Sequence, residues 1–219
     1  MDLETYRARY GDDDEAAPGW VAVSAALDAL YAGQKPLHWA PELPAVLGGP
    51  APLNGVSAYV SHAGGMAHLH FCTYGYSQLY YDEAAIGKDF SRYGFEMTFR
   101  LASPLPPPKD ITWVYALLQN LARYVFKTGN WFEAHHRIPT NGPIRLDFGT
   151  DIVGLAFELD PQLPPIDTPH GRVEFLQAFG LTAREMEAIK SKTRSYEDVI
   201  AEHRATNPML ITDLSRRDG

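Results

Sequence analysis

Apolar positions along the chain follow two periods. From Pro18 onward, Trp20, Val23, Leu27 and Leu30 lie three and four residues apart, which puts them on one face of a helix. Gly33 is placed to end it, because glycine accepts the left-handed backbone found at helix C-termini. Residues 35–54 carry Pro36, Pro41, Pro44, Gly48, Gly49, Pro50 and Pro52 and predict a loop, since proline offers no amide donor. Strand composition follows at 56–62 and 66–74, with Gly64 and Gly65 as the hairpin turn between them.

Residues 95–101 alternate strictly. Phe95, Met97, Phe99 and Leu101 fall on one side and Glu96, Thr98 and Arg100 on the other, the pattern of a half-buried strand. Pro104, Pro106, Pro107 and Pro108 end it, and Asp110 is placed to cap a helix running to about Lys127, stopped by Gly129. Val114, Leu117, Leu118, Leu121, Val125 and Phe126 spread over a wide arc, as expected of a helix packed on a sheet. Further strands are predicted at 152–159, 172–179 and 209–212. Thr182 and Glu185 match a capping box opening a short helix, Ser195 caps another reaching about Ala205, and residues 215–219 should fray. Strands and helices mix without regular alternation, so the predicted class is α+β, a mixed β-sheet flanked by helices.

The chain has 219 residues, 45% of them hydrophobic, enough for one domain with a substantial core. We read residues 1–17 as a mobile or loosely docked polar arm, with the acid run Asp12 to Glu15, and residues 18–217 as a single domain. The formal net charge of -8 argues against nucleic acid as a partner, because neutralising phosphates dominates that affinity. It suits a basic protein instead. The single cysteine, Cys72, excludes an internal disulfide and sits in an apolar run. The first residues lack the pattern of a secretory signal, and no apolar run is long enough to span a bilayer, so a cytoplasmic location and no membrane partner are expected.

Candidate chemistry is sparse. His68 and His70 share one face of a strand, and His135 and His136 follow Trp131, so the four could offer imidazoles to a metal. Their spacing matches no zinc motif, and no metal or other cofactor is expected. Ser57, Ser77 or Cys72 could pair with a histidine, but no Gly-x-Ser-x-Gly elbow is present. Gly48-Gly49 leads into no phosphate loop. Asp147 with Asp151, or Glu158 with Asp160, could form a carboxylate pair only if the fold held them in one site. The tyrosines stand out more. Tyr74, Tyr76, Tyr80 and Tyr81, followed by Asp82 and Glu83, make an aromatic and acidic stretch of the kind enriched at protein interfaces. About half of such rings are expected to pack inside.

These segments resemble the Suppressor of fused family. The resemblance rests on PGW (18–20), AGQKPLHW (32–39), LNGVSAY (53–59), HLHFCTYGYSQLY (68–80), YGFEMTFRL (93–101), LLQNLARYVF (117–126), TPHGRVEFLQ (168–177) and LITDLSRR (210–217), in order. It implies a mixed α/β domain without catalytic activity. Animal members bind a zinc-finger transcription factor and hold a short partner peptide as an added strand, lined by tyrosine and acidic side chains. They continue into a second domain after the segment equivalent to 210–217, so this chain resembles the compact bacterial form, whose members are suspected immunity proteins. The resemblance therefore implies a monomeric, non-enzymatic immunity protein that neutralises a basic toxin domain, with Tyr74, Tyr76, Tyr80, Tyr81, Asp82 and Glu83 at the interface. The alternatives are a regulatory scaffold binding an extended peptide of a cellular protein, and a metal-dependent hydrolase.

Overall fold

The computed structural model describes residues 1–43, 48–108 and 110–218. Pro44 of the predicted loop and Gly219 of the predicted frayed end lie outside them. The elements in chain order are α1 (Leu3–Tyr10), α2 (Pro18–Leu30), β1 (Leu37–Trp39), β2 (Gly55–Ser61), β3 (His68–Tyr74), β4 (Phe90–Ala102), α3 (Thr112–Thr128), β5 (Arg137–Pro139), β6 (Ile152–Leu159), β7 (Ile166–Thr168), β8 (Gly171–Thr182), α4 (Ala183–Lys190) and α5 (Tyr196–Thr206). The strands form one sheet in the order β1-β2-β3-β4-β8-β6-β5, with β7 paired to β8. Among these strands β4 and β8 run parallel and the other pairings are antiparallel. This is the mixed sheet flanked by helices that the sequence predicts.

The hydrophobic alternation of the strands decides the layers. Phe95, Met97, Phe99 and Leu101 of β4 pack with Val114, Leu118, Leu121 and Val125 of α3 in the principal core. On the opposite face α2 lays Val23 and Leu27 against Tyr59, Cys72, Tyr74 and Phe175. There α4 and α5 also bring Ile189, Val199 and Ile200 onto Ala156, Phe179 and Leu181. Helix α3 ends at Gly129, whose φ of 75° is the left-handed cap that glycine supplies. The capping box of Thr182 and Glu185 is present, and Ser195 accepts the Asp198 amide to start α5.

The polar side of β4 departs from expectation. Glu96, Thr98 and Arg100 do not face water; all are fully buried. They lie in a polar seam between the two apolar clusters of the second face. The register sets His70 beside Arg100 and Thr98 beside Gln177. Arg100 Nη2 donates to both Asp160 oxygens at 2.7 and 3.0 Å, and Arg100 Nε donates to Gln177 at 3.0 Å. Asp160 also accepts from His70 Nε2 at 2.9 Å, Thr98 Oγ1 at 2.8 Å and the amides of Gln162 and Leu163. Burial works against the Asp160 carboxylate, but His70 and Arg100 outweigh it and hold its pKa below the usual range.

Other differences have local causes. The polar first residues form α1, whose buried Tyr6 anchors a helix too polar to show an apolar face. Helix α3 starts at Thr112 without a side-chain cap, because Asp110 pairs with Arg145 instead. The predicted strand at 209–212 shrinks to a single bridge from Thr212 to Leu101. Leu210 has φ of 47°, and the Gln177 amide takes the Met209 and Leu210 carbonyls that a ladder would use. The three-residue strands β1, β5 and β7 are too short for an alternating pattern to announce them.

A buried charge that loses its partner is far costlier than one that was never there. Arg100→Met is expected to lower the unfolding free energy by about 3–5 kcal/mol, measured by urea denaturation. Combining it with Asp160→Leu should restore a large part of the loss, since no charge then stays buried alone.

Candidate partner-binding surfaces

The six residues expected at an interface separate into two groups. Tyr74 closes β3 with its ring stacked on Trp20 at 4.3 Å, inside the α2 cluster. Tyr76 lies on the opposite side, stacked on Phe95 at 4.6 Å within the α3 core. Neither ring reaches the surface: the turn after β3 carries the chain round the end of the strand and buries one ring in each layer. A buried Glu96 holds that turn, accepting from Thr73 Oγ1, the amides of Gly75 and Ser77, and Ser77 Oγ at 2.6–3.0 Å. Tyr80 is 43% exposed, while Tyr81, Asp82 and Glu83 are half-buried. Asp82 caps a short turn by accepting the Ala84 amide. Glu83 is held down to about 2 by hydrogen bonds from Arg7 and Tyr81.

A surface that sequence reasoning missed lies at the other end of the sheet. Past Gly129 the chain places Trp131, 53% exposed, beside Tyr124 of α3 and the start of β5. With Asn130, Phe132, Glu133, His136 and Ile138 they line an open groove of about 580 Å³. Phe132 anchors its floor, stacked on Phe157 at 4.3 Å, and Trp131 Nε1 donates to Glu133 at 2.9 Å. A second hollow of about 650 Å³ lies across Trp131 and Glu133, walled by Phe90, Tyr93 and Leu159. The aromatic pair Trp131-Phe132 is legible in the sequence, but which of the two rings stays outside is not.

Among the described residues, the groove runs along a free sheet edge. β5 pairs with β6 on one side and ends the strand order on the other. The Thr140 amide donates to Val153 and the Phe157 amide to the His136 carbonyl, while the His136 amide turns back to Glu133, so the His136 carbonyl and the backbone groups of residues 138 and 140 face β6. By that alternation Arg137 turns its amide and carbonyl outward, and Pro139 turns out a carbonyl only. The edge therefore offers one donor and two acceptors to an added strand.

The histidines do not assemble a metal centre. His68 Nδ1 lies 2.7 Å from the Met66 carbonyl, and Arg100 approaches its Nε2. His70 is held between Tyr31 and Asp160. His135 and His136 lie apart from them beside β5, near Glu158 and Glu133 respectively. Among the described residues no group of three or more His, Cys, Asp or Glu side chains is placed to hold a metal ion. The nucleophile candidates are equally committed. Cys72 is buried, which pushes its thiol well up. Ser77 serves Glu96, and Ser57 meets His38 at 2.9 Å, an imidazole packed against Trp20 and Tyr74. Asp147 pairs with Arg145 and Glu158 with Arg204. Among the described residues, no helix is long and apolar enough to cross a membrane.

Comparison with known proteins places this architecture. The family model described as Suppressor of fused protein (SUFU) matches residues 49–217. The human and mouse proteins named Suppressor of fused homolog are each 34% identical over 180 residues, covering 78% of this chain and 37% of theirs. The chain thus spans little more than a third of the length of these curated relatives. A crystal structure described as the Sufu-Fu complex superposes with a TM-score of 0.83 at 30% identity, covering 94% of this chain and 93% of that one. Drosophila Suppressor of Fused gives 0.82 at 31% identity over 93% of this chain and 51% of its own. A putative homolog from Neisseria gonorrhoeae, at 13% identity and a TM-score of 0.58, shares the fold.

The buried histidines make stability depend on pH. Burial pushes His68 down to about 4 from an ordinary value of 6.5, and it lowers His70 and His170 as well. The unfolded chain then binds more protons than the folded one below pH 6.5. Stability should be full above that value and fall as pH drops through 6.5 toward 4. Urea midpoints at pH 7.5 and 5 test this, and His68→Gln is expected to narrow the difference between them.

Proposed function

This chain belongs to the Suppressor of fused family, and we propose that it is a scaffold that takes an extended segment of a partner protein onto the free edge of β5. It is a protein-binding, non-enzymatic chain, as its family membership implies. The observation that carries the proposal is a coincidence of two features. The unpaired backbone of Arg137 and Pro139 lies along a groove lined by exposed Trp131 and Tyr124. Strand addition needs both: backbone pairing gives affinity, and flanking pockets choose side chains. The solved relative described as a Sufu-Fu complex is an assembly of that protein with a partner, which is consistent with a binding role here.

Neutralisation of a basic toxin is the narrower form of this reading, together with the compact bacterial type and a cytoplasmic, monomeric state. Its support is the net charge of -8, which would speed encounter with a basic partner. The two forms differ in what they recognise. A scaffold binds an isolated peptide from its partner, whereas an immunity protein needs the folded toxin and abolishes its activity.

The experiment is a pulldown from the native host, followed by titration of each partner and of its short linear segments. Arg137→Pro removes an amide that faces outward, so the fold should survive while peptide affinity falls about tenfold. Trp131→Ala should cost about 2 kcal/mol or more of binding. Binding untouched by both substitutions would remove the β5 edge from the interface. Capture of a folded toxin with loss of its activity, and no binding by its peptides, would favour the immunity form.

A further inference from the structure

Helix α1 is fixed to the rest of the molecule by one buried ring and one exposed ion pair, while its Arg9 and Tyr10 border α2 across an open hollow. The ring of Tyr6 lies flat on Tyr81 at 4.8 Å and edge-on to His170 at 5.6 Å. Its hydroxyl is held at two points. The Asp82 amide donates to it at 3.0 Å, and it lies 2.7 Å from His170 Nε2. The other imidazole nitrogen, Nδ1, is 2.9 Å from the Gln78 carbonyl, an acceptor only, so Nδ1 carries the proton and Nε2 takes the one from Tyr6. Beside the ring, Arg7 donates to Glu83 through Nε at 2.8 Å and Nη2 at 2.5 Å. Tyr81 completes the frame by donating to Glu83 at 2.7 Å.

The walls of this socket belong to the folded domain, while its contents belong to the arm. Residues 78–83 follow β3, and His170 sits in the turn between β7 and β8. Within α1 only Tyr6 is buried. The following residues 11–15 are exposed, and the chain is next tied down where the Tyr81 amide donates to the Ala16 carbonyl. A short exposed tether thus carries an occupant secured by a single buried side chain. The chemistry is selective: the site suits a ring whose hydroxyl both gives and takes a hydrogen bond, next to a guanidinium. Phenylalanine would leave His170 Nε2 and the Asp82 amide without their partner.

We propose that Gln78, Tyr81, Asp82, Glu83 and His170 form a recognition socket for a tyrosine–arginine pair on a short helix of a partner protein, and that α1 is its exchangeable resident. Opening the arm frees Tyr81, Asp82 and Glu83, which Tyr6 and Arg7 otherwise occupy. This second contact surface is independent of the β5 edge.

The test uses full-length chains and a labelled peptide of residues 1–17 as the probe, read by fluorescence anisotropy. The Tyr6→Ala chain, whose socket is empty, should bind the peptide at least tenfold more tightly than the wild-type chain. Adding Glu83→Lys or His170→Ala to it should abolish the gain, and a peptide with Tyr6→Phe should bind more weakly. A folded Tyr6→Ala chain that binds no better than wild type would overturn the proposal. If Tyr6→Ala does not fold, Arg7→Glu replaces it, since it loosens α1 from the surface. Faster amide exchange in α1 with unchanged sheet protection, together with tighter peptide binding, is then expected. Unchanged α1 protection, or faster exchange without any gain in peptide binding, would overturn the proposal.

Discussion

A guanidinium and a carboxylate buried on one face of the sheet organise this protein. Arg100 on β4 and Asp160 at the end of β6 are both fully shielded from water, with β8 running between their strands. Such a pair contributes less net stability than its short distances suggest, because both ions have left water. Its stronger effect is on register. Sliding β4 by one residue would point Arg100 into the α3 core and leave Asp160 alone, so misaligned pairings lose far more than the native one gains. Asp160 extends the constraint by holding the amides of Gln162 and Leu163, which turns the chain back after β6, and His70, which links the pair to Tyr31 at the end of α2. Through Gln177 it reaches the carbonyls at Met209 and Leu210.

This arrangement explains what could be read in advance. The long elements were legible because each buries a regular stripe: α2 and α3 with helical spacing, and Phe95 to Leu101 with strand spacing. What periodicity could not reveal is the environment on the other side of β4. Glu96, Thr98 and Arg100 look like a solvated row, because alternation reports a difference between two faces and not which face meets water. Only long-range partners make their burial tolerable, and Asp160 is distant in sequence. The same limit governed the tyrosines. Tyr74 and Tyr76 carry the interface composition of Tyr80 and Tyr81, yet the turn held by Glu96 drives them into opposite layers. The β5 edge escaped prediction for another reason: three residues ending in proline have no pattern to detect.

A polar interior so fully engaged also limits where function can reside. His68, His70, Ser77, Cys72, Glu96 and Asp160 are the side chains a chemist would recruit first, and each is either spent on internal hydrogen bonds or sealed from water. Reaction chemistry needs groups whose protonation or bonding changes during turnover, whereas these are fixed by several partners at once. The five hydrogen bonds to Glu96 come only from donors, so its surroundings favour the carboxylate against the burial that raises its pKa. The cluster behaves as scaffolding.

In both proposed readings recognition falls to the rim. At the β5 end the sheet runs out of strands, and Pro139 removes one of the outward donors. That blunts the edge against indiscriminate pairing while leaving Arg137 able to exchange bonds with one correctly placed segment. Beyond the β3 end, the turn after the strand presents Tyr81 and Glu83, and there the chain supplies its own occupant in Tyr6 and Arg7. The two places answer one physical problem differently. An open backbone edge is protected by being made short and partly mute, and a polar aromatic socket by being filled. Both solutions depend on a sheet that does not shift beneath them, which is what the buried Arg100–Asp160 pair provides.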